Sequence, residues 1–85
     1  MITSLDNCNV VITGGLKKMT RDKAYALIRA EGGFPRKKVS GNTDILIISD
    51  DQARAFRHTE KYRKAQELWI DTITESDFYD IVGVQ

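Results

Sequence analysis

Two uninterrupted apolar runs, Val10-Val11-Ile12 and Ile45-Leu46-Ile47-Ile48, constrain this chain more than any other feature. Consecutive side chains of a strand point to opposite faces. A branched apolar run without polar alternation therefore suits a strand buried on both sides, as in a parallel sheet covered by helices. Between the runs, Ala24, Leu27 and Ile28 recur at helical spacing behind the N-cap Thr20, and Gly32-Gly33 stops that helix. The pattern predicts a first strand at 8–13 and a short second strand at 34–39. Residues 49–58 read as a polar loop with a helical turn at 53–56, in which Asp50-Asp51 flank the loop. A second helix is expected over 59–68, with Tyr62, Ala65 and Leu68 three apart, then a fourth strand at 69–73. Thr74 and Asp77 form a capping-box pair ahead of a third helix with the apolar face Phe78, Ile81 and Val82. The order βαββαβα implies an α/β fold: a four-stranded parallel sheet flanked by three helices, with helices on both faces.

At 85 residues the chain is expected to be a single domain over residues 1–85, able to bury one modest core. A net charge of +1 selects no partner, but the charges are grouped. Arg36-Lys37-Lys38 is one basic cluster, and Arg57, Lys61, Arg63 and Lys64 form another. Acidic residues gather at Asp50-Asp51 and over 71–80, so one face should be basic. Cys8 is the only cysteine, which leaves no internal disulfide and no second thiol for a metal, and fits a reducing compartment. Cys8 itself reads as strand packing, Trp69 as core or a helix–strand junction, and His58 as a lone loop histidine. No N-terminal apolar stretch is long enough for a signal peptide or a membrane span.

The first apolar run closes on Thr13-Gly14-Gly15, followed by Arg21 at the start of a helical pattern. A hydroxyl, a glycine N–H open to close approach, a helix N-terminus and a guanidinium together suit an anion. In sheets of this type ligands bind beyond the carboxyl ends of the strands, where Thr13-Gly14 falls. The turn matches neither the dinucleotide fingerprint nor the P-loop, and no nucleophile–base arrangement accompanies it. A catalytic role, a cofactor and a metal are therefore not expected of this chain.

The chain also resembles the BRCT family. The resemblance is carried by Val10-Val11-Ile12-Thr13-Gly14-Gly15-Leu16, Met19-Thr20-Arg21-Asp22-Lys23-Ala24 and Gly32-Gly33. It continues through Val39-Ser40-Gly41-Asn42-Thr43-Asp44-Ile45-Leu46-Ile47, Lys64-Ala65-Gln66-Glu67-Leu68 and Ile73-Thr74-Glu75-Ser76-Asp77-Phe78. The subclass it resembles sits in bacterial NAD-dependent DNA ligases, the replication factor C large subunit and DNA polymerase III epsilon-type exonucleases. Trp69 stands where the ligase pattern usually has Gly. The resemblance implies a four-stranded parallel sheet with helices 1 and 3 on one side, helix 2 on the other, and strand 2, with Pro35, at an edge. It also implies a phosphate pocket built from Thr13, Gly14, Arg21 and Lys61, with Arg36 as a further phosphate contact.

Two functions from different classes follow. The first is a non-catalytic module of a DNA repair or replication protein that holds 5′-phosphorylated DNA ends or nicks. Arg36, Lys37, Lys38, Arg57 and Lys64 would then contact the DNA backbone. The second is a protein-interaction module that docks a phosphoprotein or dimerises, signalled by an exposed apolar patch around Trp69, Tyr62 or Phe56. Either would act in the cytoplasm, associated with the bacterial nucleoid, or in the nucleus, with DNA or other repair and replication proteins as partners and no membrane.

Overall fold

The computed structural model describes residues 2–55 and 59–84. Its elements run β1 (Asn9–Thr13), α1 (Arg21–Ala30), β2 (Phe34–Arg36), β3 (Ile45–Ile48), α2 (Asp50–Ala55), α3 (Glu60–Glu67), β4 (Asp71–Thr74) and α4 (Glu75–Val82). The four strands make one parallel sheet in the order β2-β1-β3-β4. The expected α/β architecture is therefore the one observed. Thr13 pairs with Ile48, and Ile48 with Thr74, so three strands finish level at the carboxyl edge.

Alternation along β1 divides the core in two. Val10 and Ile12 are buried with Ala24, Ile28, Ile73 and Phe78, between the sheet and α1 and α4. Val11 faces the other way, with Leu46, Ile48 and Ala65, under α3. Helices thus cover both faces, which is why the apolar runs show no polar alternation. The same parity turns Thr13 toward α3.

Local signals set the helix ends. Thr20, Thr59 and Thr74 are N-caps, each accepting from a backbone N–H three residues on. The Thr74–Asp77 capping box is formed in both directions. Helix α1 ends in a Schellman motif: Gly33 N–H donates to Ile28 O at 2.9 Å, and Gly32, at φ +83°, donates to Arg29 O at 3.0 Å.

Four expectations change. Residues 50–55, read as mostly loop, form α2, whose Asp50 carboxylate accepts the Ser76 hydroxyl at 2.6 Å. Strand 2 stops at Arg36, and Lys37 and Lys38 lie in the bend that follows. Strand 4 is displaced to Asp71–Thr74, because Trp69 and Ile70 finish α3. Ile70 N–H donates to Ala65 O at 2.9 Å and Trp69 N–H to Gln66 O at 3.2 Å, a second Schellman motif. Leu68, expected on the apolar face of that helix, is exposed.

Trp69 therefore occupies the position where the chain turns left-handed, at φ 57°, with its side chain 93 % exposed. A non-glycine residue there costs about 1–2 kcal/mol. The junction reading of Trp69 stands and the core reading does not. Trp69→Gly is expected to stabilise the fold by about 1 kcal/mol, read as a rise in melting temperature of roughly 4–8 °C. An unchanged or lowered midpoint would mean that the indole makes a stabilising contact.

The edge strand β2 shows why its proline is tolerated. Phe34 N–H donates inward, to Cys8 O at 2.8 Å. Successive backbone N–H groups of a strand alternate sides, so the Pro35 nitrogen faces the free edge, where it has no hydrogen to leave unpaired.

Candidate functional site

The carboxyl end of β1 is where the expected phosphate residues meet. Arg21, the first residue of α1, is exposed, and its Nη1 donates to Ile12 O at 3.0 Å and its Nη2 to Gly14 O at 3.1 Å. Lys61, in the first turn of α3 and 49 residues along the chain from Ile12, donates its Nζ to the same Ile12 carbonyl at 3.2 Å. Thr13, 3 % exposed, shares a hydrogen bond of 2.9 Å with the Thr59 hydroxyl. Gly14 turns the chain at φ +84°. Two cations and two helix N-termini therefore converge on one strand end.

Among the described residues no carboxylate compensates the charge there. Among the described residues neither Arg21 nor Lys61 pairs with a carboxylate; both rest on carbonyls. Cations in the first turn oppose the helix dipole. Burial first, and the Arg21 guanidinium second, lower the Lys61 ammonium below its ordinary 10.5. The folded state thus binds fewer protons than the unfolded chain just below that value, and stability rises with pH across that window. Both side chains retain donors: a guanidinium has five N–H groups and an ammonium three.

The other expected residues lie elsewhere. Arg36 pairs with Val11 and turns its Nε to Asn9 Oδ1 at 3.1 Å, toward the start of β1. Asn9 and Thr13 are four residues apart, roughly 13 Å at ~3.3 Å per residue. Lys37 and Lys38 line the same shallow groove as Asn9 and Arg36. Lys64 is exposed on α3, one turn beyond Lys61. Arg57 and His58 lie outside the described residues, as does Phe56. Cys8 is half-buried just before β1, and burial, with Asp44 and Asp6 nearby, raises its thiol.

Two residues that sequence reasoning missed hold the site in shape. One is Thr59, whose hydroxyl caps α3 through Tyr62 N–H and also meets Thr13. The other is Glu75, 1 % exposed. Its Oε2 accepts from Lys17 N–H at 3.0 Å and from Tyr79 OH at 2.9 Å, and its Oε1 from Asp50 N–H at 2.9 Å. The Tyr79 oxygen in turn accepts Lys18 N–H at 3.1 Å. One carboxylate thereby ties the β1–α1 loop and the start of α2 to α4. Burial raises the Tyr79 hydroxyl above its usual value; the Lys18 N–H opposes this, and Glu75 and Asp50 add to it. A Thr-Glu-Ser-Asp stretch at a helix start was legible as a cap, but the burial of its glutamate was not.

A family model described as the BRCA1 C Terminus (BRCT) domain matches residues 3–82. The chain belongs to the BRCT family. Curated relatives of this BRCT domain include a DNA ligase of Chlamydia caviae, 44 % identical over 72 residues, which cover 85 % of this chain and 10 % of the ligase. A DNA ligase of Maricaulis maris is 39 % identical over 74 residues, 87 % of this chain and 10 % of that enzyme. One from Chlorobium phaeobacteroides is 34 % identical over 80 residues, 94 % of this chain and 11 % of that enzyme. The chain thus spans about a tenth of the curated relatives it matches, and corresponds to a non-catalytic domain appended to those enzymes. The BRCT arrangement expected from the motifs is present, with α1 and α4 on one face of the sheet and α3 on the other. No helix among the described residues is long and apolar enough to cross a membrane.

Proposed function

We propose that this BRCT domain holds the 5′-phosphate of a DNA end or nick and lends that affinity to a repair or replication enzyme, a ligase above all. The observation that carries the reading is the convergence of Arg21 and Lys61 on the Ile12 carbonyl, beside Thr13, without a carboxylate. A phosphate dianion would take the guanidinium as a fork, the ammonium as a point charge, the Thr13 hydroxyl and the Gly14 N–H. Lys64, Arg36, Lys37, Lys38 and Arg57 would meet the duplex backbone. Such contacts carry no base information, so sequence preference should be absent. The domain would work where the DNA is, in the bacterial nucleoid or the nucleus.

The test is a titration of a duplex with a recessed 5′-phosphate against its 5′-hydroxyl twin, at two salt concentrations. Preference for the phosphorylated end, weakening steeply with salt, is expected. Equal binding would remove the pocket.

The pH dependence is a second check. A phosphate monoester becomes a dianion near pH 6, so affinity should rise through that region. It should fall again on the alkaline side, beginning below 10.5, as the lowered Lys61 gives up its proton. Lys61→Arg is expected to abolish the alkaline fall; a fall that persists would place the titrating group elsewhere.

A protein-docking role is favoured by one observation, the exposure of Leu68 and Trp69 side by side, 41 % and 93 %. It predicts that Trp69→Ala impairs association with a repair or replication protein and leaves the duplex titration unchanged.

A further inference from the structure

The free edge of the sheet carries a side-chain set that the phosphate pocket does not use. Phe34, at the start of β2, is 47 % exposed, and the Arg36 guanidinium lies 5.8 Å from the centre of its ring. The bond from Arg36 Nε to Asn9 Oδ1 fixes the guanidinium in that position. Two shallow grooves meet at Arg36: one passes Arg29 and Phe34, the other Lys37 and Lys38. None of these four cations forms an ion pair among the described residues. Of the acidic groups nearby in sequence, Glu31 is exposed at the end of α1, and Asp44 Oδ2 is bonded to Asn9 N–H at 2.7 Å.

A surface cation–π pair explains Arg36 over Phe34, and the duplex contacts proposed above would use Lys37 and Lys38, but neither accounts for Arg29 or for a large ring left exposed beside these cations. Nor does the edge suit an added protein strand. Pro35 offers no N–H outward, and clustered cations are a device against strand pairing. What the edge does offer is an exposed aromatic ring beside a positive groove, the combination that binds single-stranded nucleic acid.

We propose that β2 is a stacking platform for unpaired nucleotides of single-stranded DNA. A base stacks on Phe34, and Arg29, Arg36, Lys37 and Lys38 hold the flanking phosphates. The inference rests on the DNA-binding reading above but not on the phosphate pocket. Arg36 and Thr13 are on adjacent strands, with α-carbons about 8 Å apart from strand spacing and rise. A strand whose end sits in the pocket can therefore reach the platform, which would select ends that carry a single-stranded tail.

The experiment measures anisotropy of a labelled 5′-hydroxyl oligothymidylate, and of an abasic strand of equal length, at low salt. Phe34→Ala should weaken oligothymidylate binding about tenfold, leave the abasic strand unaffected, and be rescued by Phe34→Trp. The platform is overturned if Phe34→Ala binds oligothymidylate like the parent, or if the parent binds the two strands equally. A parent that binds neither strand, yet prefers a 5′-phosphorylated duplex end, also overturns it while the pocket stands.

Discussion

Glu75→Ala is expected to cost this domain about 3–5 kcal/mol, the largest loss from any single substitution outside the hydrophobic core. The carboxylate is 1 % exposed and accepts Lys17 N–H, Asp50 N–H and the Tyr79 hydroxyl. Removing it strands three donors, and each buried unsatisfied group costs about 1–3 kcal/mol. Water reaching the Lys17 and Asp50 amides at the rim offsets part of this, so the sum is less than three full penalties. A domain of this size has a folding free energy of about 4–13 kcal/mol, so the loss removes at least about a quarter of it and, at the low end, all of it. Urea denaturation decides the matter. A loss below about 1 kcal/mol would show that the loop and α2 find other acceptors. Glu75→Gln should lie between, because Gln keeps one acceptor oxygen and presents an amide where the second stood.

Arg21→Ala is the second large effect, and its readout is binding. The guanidinium supplies the only fork-shaped donor at the end of β1 among the described residues, and the Ile12 and Gly14 carbonyls hold it there. Losing a charge-assisted pair of this kind costs at least about 2 kcal/mol, or roughly thirtyfold in affinity for a 5′-phosphorylated end. The 5′-hydroxyl duplex should be little affected, so discrimination is lost and not merely affinity. Lys61→Ala should lose about tenfold and should not destabilise the fold, since it relieves the crowding of two cations on one carbonyl. If both variants keep the parent's preference for the phosphorylated end, the assignment of the pocket fails. Stability measured alongside separates this from unfolding, because neither side chain is part of the core.

The two effects are connected. Glu75 braces the loop that leads from the pocket glycine to α1, and Tyr79 braces it again one residue on, through Lys18. A weakened brace should therefore loosen the placement of Arg21. The Lys17–Asp51 ion pair, 3.1 Å long but with both side chains more than half exposed, adds little to this.

By itself the sequence determined the elements whose cause is local. Uninterrupted branched apolar runs mark β1 and β3, the 3.6 period marks α1, and the threonine caps and Gly32-Gly33 mark the ends of helices within a few residues. Thr13, Gly14, Arg21 and Lys61 follow a family pattern along the sequence, and the fold places these residues at one strand end. What depends on contacts between distant residues only the tertiary structure decided. Helix α2 forms where polarity suggested loop, since Asp50 is held from 25 and 26 residues away by Glu75 and Ser76. Glu75 is buried because two distant segments, as well as its own helix, aim donors at it, which no local period records. Leu68 and Trp69 are exposed because Ala65 ends the contact of α3 with the sheet and the Schellman turn carries the chain outward. Arg36 swings toward Asn9 and over Phe34 because β2 is an edge with no neighbour to cover it.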